Sequence, residues 1–72
     1  METEETKRDR FKRVGGNRVN DLLEKIRLLG NCANTSNYSY THDEINKIFT
    51  TIYENLQDTR KKFKVEGERF SL

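Results

Sequence analysis

The sequence has no proline and no tryptophan, and it contains one cysteine, one histidine and one methionine among its 72 residues. A single cysteine cannot form an internal disulfide, which favours a reducing compartment. No apolar run approaches the roughly 18 residues that cross a membrane. The acidic start, with Glu2, Glu4 and Glu5, is unlike a secretory signal peptide. These absences predict a cytoplasmic chain without a membrane segment.

Residue types that carry catalysis or bind metals are scarce. The sequence contains no P-loop, HExxH or GxSxG motif, and Cys32 has no CxxC partner. We therefore expect Cys32 to be a small buried residue rather than a nucleophile. His42 lacks an identifiable orienting partner, and the neighbouring Asp43 and Glu44 suit a helix N-terminus. The sequence predicts that the protein is not an enzyme and uses no metal or cofactor.

Positive charge is concentrated toward the two ends of the chain. The formal net charge is only +2. However, residues 7–18 carry six bases against one acid, and residues 58–72 carry five bases against three acids. If the chain folds back on itself, these basic ends meet, which favours a partner that bears phosphate. The alternative is that these charged residues only form solvent-exposed helix faces that keep the protein soluble.

Apolar positions from residue 11 to residue 29 recur at helical spacing and predict a helix over about residues 10–29. Gly30 follows as a typical C-terminal stop. Gly15 and Gly16 each cost about 1 kcal/mol relative to Ala inside a helix, so we expect a kink there or a start near Asn17. The stripe consists of Phe11, Val14, Arg18, Leu22, Ile26 and Leu29.

A second helix is predicted over about residues 42–62. Thr41 and Glu44 have the spacing of a capping box, and Tyr40 and Ile45 that of a hydrophobic staple. Steps of four and three residues are typical of a coiled-coil seam. Ile48 and Tyr53 flank this seam and widen the apolar face to suit more than one neighbour. The seam consists of Ile45, Phe49, Ile52, Leu56, Thr59 and Phe63.

These elements predict an all-α fold, an antiparallel helical hairpin in a single domain spanning residues 1–72. Residues 1–7 and 65–72 are predicted to be disordered or docking tails; the latter holds Val65, Phe70 and Leu72 without a clear period. Because a two-helix hairpin leaves half of its apolar surface exposed, we expect a homo-oligomer that completes a four-helix bundle or larger ring. The alternative is a lone bundle in which the N-terminus forms a third helix.

The connection over residues 30–41 is long for a helix–helix loop. Its amides and tyrosine rings can form a polar pocket, since amides recognise base edges and stacking contributes roughly 1–3 kcal/mol per base. The alternative is that Asn and Thr side chains only fold the loop through local turns. The candidate ligand-binding residues of this loop are Asn31, Asn34, Asn37, Tyr38 and Tyr40.

Arg18 stands in the apolar stripe of the first helix, where a charge is unexpected. Such an arginine usually extends to water or pairs with a carboxylate. The functional alternative is a phosphate ligand at a subunit boundary, which the planar guanidinium suits. Gly15 and Gly16 would let a ligand or another backbone approach. Arg8, Arg10 and Arg13 are predicted to add phosphate contacts.

The run Ile26–Thr41, IRLLGNCANTSNYSYT, resembles a widespread group of short helical proteins and segments of Gram-positive bacteria, their phages and mobile elements, most of which have no assigned function. The resemblance extends over roughly residues 10–63 and departs from the group at Gly15-Gly16. It implies a helical hairpin and, by analogy, a small oligomeric phage protein that counters host defence from the host cytoplasm. Some such proteins sequester nucleotide signals between subunits, and others block a defence protein directly.

Three functions remain in competition. The first is a non-enzymatic homo-oligomer that sequesters a phosphate-bearing nucleotide at subunit boundaries. The second is an inhibitor or interaction module that contacts a host protein through the second helix. The third, less favoured because the charge is modest, is a small nucleic-acid-binding protein whose affinity would fall steeply with salt.

Overall fold

The structure is a computed structural model, and it describes residues 5–64. Within that range the chain forms α1 (Lys7–Gly30), a single 3₁₀ turn (Asn31–Ala33) and α2 (His42–Arg60), with no strand. The predicted all-α class is confirmed. The chain divides after Ser39 into two compact units, one built on α1 and the other on α2. The predicted C-terminal tail, residues 65–72, lies outside the described residues.

The first helix begins at Lys7, inside the segment expected to be a tail and before the predicted start near residue 10. Thr6 provides the N-cap: its backbone is extended, with φ −80° and ψ 169°, and its hydroxyl accepts a hydrogen bond from the Asp9 amide at 3.0 Å. This bond satisfies one of the free N–H groups that every helix start exposes. The spacing Thr6-x-x-Asp9 is the sequence signal for this start, and the apolar periodicity does not contain it.

The alternative start of the helix near Asn17 is wrong, because α1 runs through both glycines as one continuous helix. The ring of Phe11 covers the first of them: a Cβ placed on Gly15 would lie 3.4 Å from Phe11 Cε1. Apart from the flanking residues and the local helix backbone, no atom lies within 4 Å of the equivalent point on Gly16. The ring contact and the capped start support a segment whose intrinsic helix propensity is poor.

The end of α1 is close to the predicted one, although Gly30 does not stop the helix through a left-handed conformation. Its φ of −60° and ψ of −26° are helical, and the chain continues into the 3₁₀ turn. The backbone leaves helical geometry at Asn34, where ψ is 106°. Asn34 Oδ1 accepts a hydrogen bond from the Ser36 amide at 2.9 Å, so its side chain competes with continued helix.

The second helix starts at the predicted residue and ends at Arg60 rather than near residue 62. The predicted capping box is present: the Glu44 amide donates to Thr41 Oγ1 at 3.1 Å, and the Thr41 amide donates to Glu44 Oε1 at 2.8 Å. Beyond Arg60 the backbone forms a turn in which the Phe63 amide donates a hydrogen bond to the Arg60 carbonyl at 3.1 Å, three residues earlier. Phe63, the last predicted seam residue, therefore lies outside α2.

No side chain among residues 5–64 is buried. Val14 and Leu29 on α1, and Ile45 and Ile52 on α2, are half-buried. Cys32, expected to be buried, is exposed, because the 3₁₀ turn that carries it has no apolar core beneath it. The large apolar side chains of both helices keep much of their surface accessible, so each helix presents an apolar face.

Candidate functional site

The arginines of α1 predicted to bind phosphate fall into two groups, and one group already has a carboxylate partner. Arg13 donates to both oxygens of Glu5, from Nε to Oε2 at 2.8 Å and from Nη2 to Oε1 at 3.0 Å. Arg10 Nε lies 3.5 Å from Glu5 Oε1. The two-bond geometry is the one in which a guanidinium binds a carboxylate or phosphate most strongly.

Glu5, which lies just before α1, therefore holds together Arg10 and Arg13 of the first two turns of the helix. The hydrogen bonds from Arg13 lower the pKa of the Glu5 carboxyl below its ordinary value of 4.5, and the same pair raises the pKa of Arg13. A phosphate at these two arginines would have to displace a carboxylate. Glu5 stands before the helix, outside the spacing of helical pairs, so sequence periodicity contains no signal for this contact.

Arg8 and Arg18 form the other group, since neither has an ion-pair partner among residues 5–64. Both side chains are exposed. Ten residues separate them along α1, which corresponds to about 15 Å of helix. They therefore do not converge on one phosphate group within a single α1.

Arg18 is the more unusual of these two cations. It lies one turn after Val14 and one turn before Leu22, on the stripe of α1 that also carries Ile26. Residues four apart occupy the same side of a helix, so the guanidinium projects from a predominantly apolar face. Arg27, in contrast, is held near the end of α1 by Glu24, with Nε 3.2 Å from Oε1.

The loop after α1 is organised by Asn34. Its backbone carbonyl accepts hydrogen bonds from the Asn37 amide at 3.1 Å and the Tyr38 amide at 3.0 Å. Its side-chain oxygen is occupied by the Ser36 amide. The predicted local turn is thus confirmed at Asn34. Its two oxygens hold the backbone amides of Ser36, Asn37 and Tyr38. Two predicted ligand side chains of this unit, Asn31 and Asn37, are exposed together with Tyr38.

Tyr40, the remaining predicted ligand residue, belongs to the unit built on α2. With Thr41, His42 and Ile45 it lines an open hollow of about 310 Å³ at the start of α2. The predicted staple residues, Tyr40 and Ile45, both line this hollow. The His42 ring has no hydrogen-bond partner among residues 5–64, so no described residue orients it for proton transfer.

Among residues 5–64, no group of three or more His, Cys, Asp or Glu side chains is placed so that it could hold a metal ion. Neither α1 nor α2 has the length and hydrophobicity to cross a bilayer. Comparison of the chain with protein-family models, with curated proteins and with solved structures gives no match.

Proposed function

We propose that the protein is a non-enzymatic binding protein that assembles from several copies and holds a phosphate-bearing nucleotide at the boundary between them. The observation that carries the proposal is the position of Arg18, a cation on the apolar stripe of α1 without an ion-pair partner among residues 5–64.

Self-association that covers the apolar stripe of α1 would take the Arg18 guanidinium partly out of water, and a buried charge is tolerated only when it is paired and hydrogen-bonded. The nearest acids along α1, Asp21 and Glu24, do not bond it, and Glu24 is engaged by Arg27. An anion from outside the chain satisfies Arg18, and the guanidinium fork matches a phosphate in geometry.

A boundary between copies also accounts for the spacing of the free cations. Arg8 and Arg18 lie too far apart on α1 to share one phosphate, whereas cations from two copies can meet at an interface. The exposed Asn31, Asn37 and Tyr38 follow α1 in the same compact unit. Their amides and ring supply hydrogen bonding and stacking for a base. Asn34 serves the loop itself.

The resemblance to phage and mobile-element proteins adds a biological role to this proposal. A small oligomer that sequesters a nucleotide signal would counter a host defence without catalysis, from the host cytoplasm. In this role, affinity and protein abundance matter and turnover does not.

The pairing of Arg10 and Arg13 with Glu5 leaves Arg8 and Arg18 as the principal phosphate contacts.

The test is a thermal-melting panel of linear and cyclic nucleotides, together with native mass spectrometry of protein purified gently from its host. A ligand at one hundred times its Kd stabilises the folded state by about 2.7 kcal/mol, which is readily visible as a rise in Tm. We expect Arg18→Gln to abolish the rise. Arg27→Gln, an equal charge change on the same helix, should preserve it.

Three results would contradict the proposal. A multimer whose Tm no nucleotide moves would favour an inhibitor that contacts a host protein. Binding of DNA or RNA that falls steeply with salt would favour a nucleic-acid-binding protein. A monomer without bound mass would remove the subunit boundary on which the site depends.

A further inference from the structure

The apolar seam of α2 has the pattern of one strand of a coiled coil. Ile45, Phe49, Ile52 and Leu56 follow one another at steps of four, three and four residues, the spacing of the two core positions in a heptad. Phe49 remains 54% exposed and Leu56 47% exposed. The 19 residues of α2 extend for about 28 Å, which is long enough for four layers of side chains.

Charge is distributed unevenly along this helix. Its first turn carries Asp43 and Glu44, and its last turn carries Arg60. Two further bases, Lys61 and Lys62, follow directly. Among residues 5–64, the acid next to that end is Asp58, which lies 3.9 Å from Lys61 Nζ in an exposed pair. The start of α2 is therefore negative and its end positive.

We propose that the seam of α2 is covered by α2 of a second copy of this chain, running antiparallel. In that orientation the acidic start of each helix lies beside the basic end of the other, and opposite charges meet at both ends. A parallel pair would bring acids against acids and bases against bases. The inference rests on the self-association in the proposed function and is independent of the nucleotide.

The seam also selects a register. In antiparallel coiled coils the two kinds of core position face each other. Ile45 then lies level with Leu56 of the partner, and Phe49 lies level with the partner's Ile52. This register places all four apolar seam residues against apolar residues. It also brings Thr59, the polar residue of the seam, level with the partner's His42, so the polar layers lie at the two ends.

Disulfide crosslinking tests both orientation and register in the full chain, on a Cys32→Ser background. A disulfide requires Cα atoms about 4.4–6.8 Å apart. An Ile45→Cys variant mixed in equal amount with a Leu56→Cys variant should crosslink. Because chains pair at random, up to about half of them lie in mixed pairs and can form the disulfide. Neither variant alone should crosslink, because its two cysteines would lie about 16 Å apart along the axis.

Two further pairs keep the test decisive. Lys47→Cys mixed with Glu54→Cys has the same axial register on the outer face of α2, and we expect no crosslink from this matched control. Phe49→Cys mixed with Ile52→Cys repeats the test at the central layer, should substitution of Ile45 weaken the start of the helix. Circular dichroism establishes that each variant is helical.

The outcomes separate this inference from the proposed function. Crosslinking of the Ile45→Cys variant alone, or of the Leu56→Cys variant alone, shows a parallel pair and overturns the orientation. A multimer by native mass spectrometry in which neither seam pair crosslinks shows that something else covers the seam, which overturns the inference and leaves self-association intact. A monomer overturns both. Loss of nucleotide binding alone leaves the antiparallel seam unaffected.

Discussion

The adjacent glycines in α1 offer a prediction with a defined sign. Gly16 lies in the interior of an exposed helix, and apart from the flanking residues and the local helix backbone no atom lies within 4 Å of the point where a Cβ would be added. Gly16→Ala therefore removes a helix-propensity cost of about 0.8–1.0 kcal/mol without introducing a clash. A gain of that size is roughly a fivefold change in the ratio of folded to unfolded chains.

Gly15 is the matched comparison within the same turn. A Cβ at Gly15 would meet the Phe11 ring at 3.4 Å, the near limit of ordinary van der Waals contact. The ring has to keep its position for the full propensity gain to be realised. We therefore expect Gly15→Ala to stabilise α1 by less than Gly16→Ala, with the difference due to the Phe11 contact.

Urea unfolding followed by far-UV circular dichroism measures both effects, at one fixed protein concentration because self-association couples stability to concentration. The expected result is a higher midpoint at an unchanged slope, the signature of altered stability rather than altered compactness. A lower midpoint for Gly16→Ala would refute the argument. It would show that another backbone or a ligand approaches Gly16 too closely to admit a methyl group.

The two remaining predictions concern the helix starts. Thr41→Ala should destabilise α2 by about 1 kcal/mol, because it removes the hydroxyl that accepts a hydrogen bond from the Glu44 amide. Thr50→Ala, in the interior of the same helix, is the control. Equal losses of stability for both variants would show that the capping box contributes nothing. The lowered pKa of Glu5 means that its contact with Arg13 stabilises α1 above pH 4.5 and loses its effect as pH falls through the lowered pKa. An NMR titration of the Glu5 carboxyl should have its midpoint below 4.5, and Glu5→Gln should flatten the acid dependence of α1; a midpoint at or above 4.5 would contradict the pairing.

Much of the helical structure could be predicted because its causes are local. The start of α2 depends on Thr41 and Glu44, which are three residues apart and satisfy each other's backbone groups. The turn at Asn34 likewise depends on a side chain bonding the amide two residues later. Contacts between residues two or three apart recur with the same geometry in many proteins. The sequence alone therefore predicts them.

The candidate site was less predictable, because ion pairing depends on where side chains lie in space. Arg8, Arg10, Arg13 and Arg18 are equivalent in a count of charges. In the structure Glu5 engages two of them, and its position before the helix follows no periodic rule. Arg18 could be singled out from the sequence, since its place in an apolar stripe is a property of spacing alone.

The sequence by itself determined that the chain is helical, where α2 begins, and which faces of the two helices are apolar, because capping and periodicity act over one or two turns. Only the three-dimensional structure decided that α1 passes through Gly15 and Gly16 without interruption, and which arginines lack a partner among residues 5–64. The Phe11 ring over Gly15 and the Glu5 contact depend on the path of the folded backbone. The Thr6 cap, the Phe11 ring contact and the Glu5 ion pair favour a continuous helix, and the low helix propensity of the two glycines opposes it. The outcome depends on the sum of these effects, which no single residue type determines.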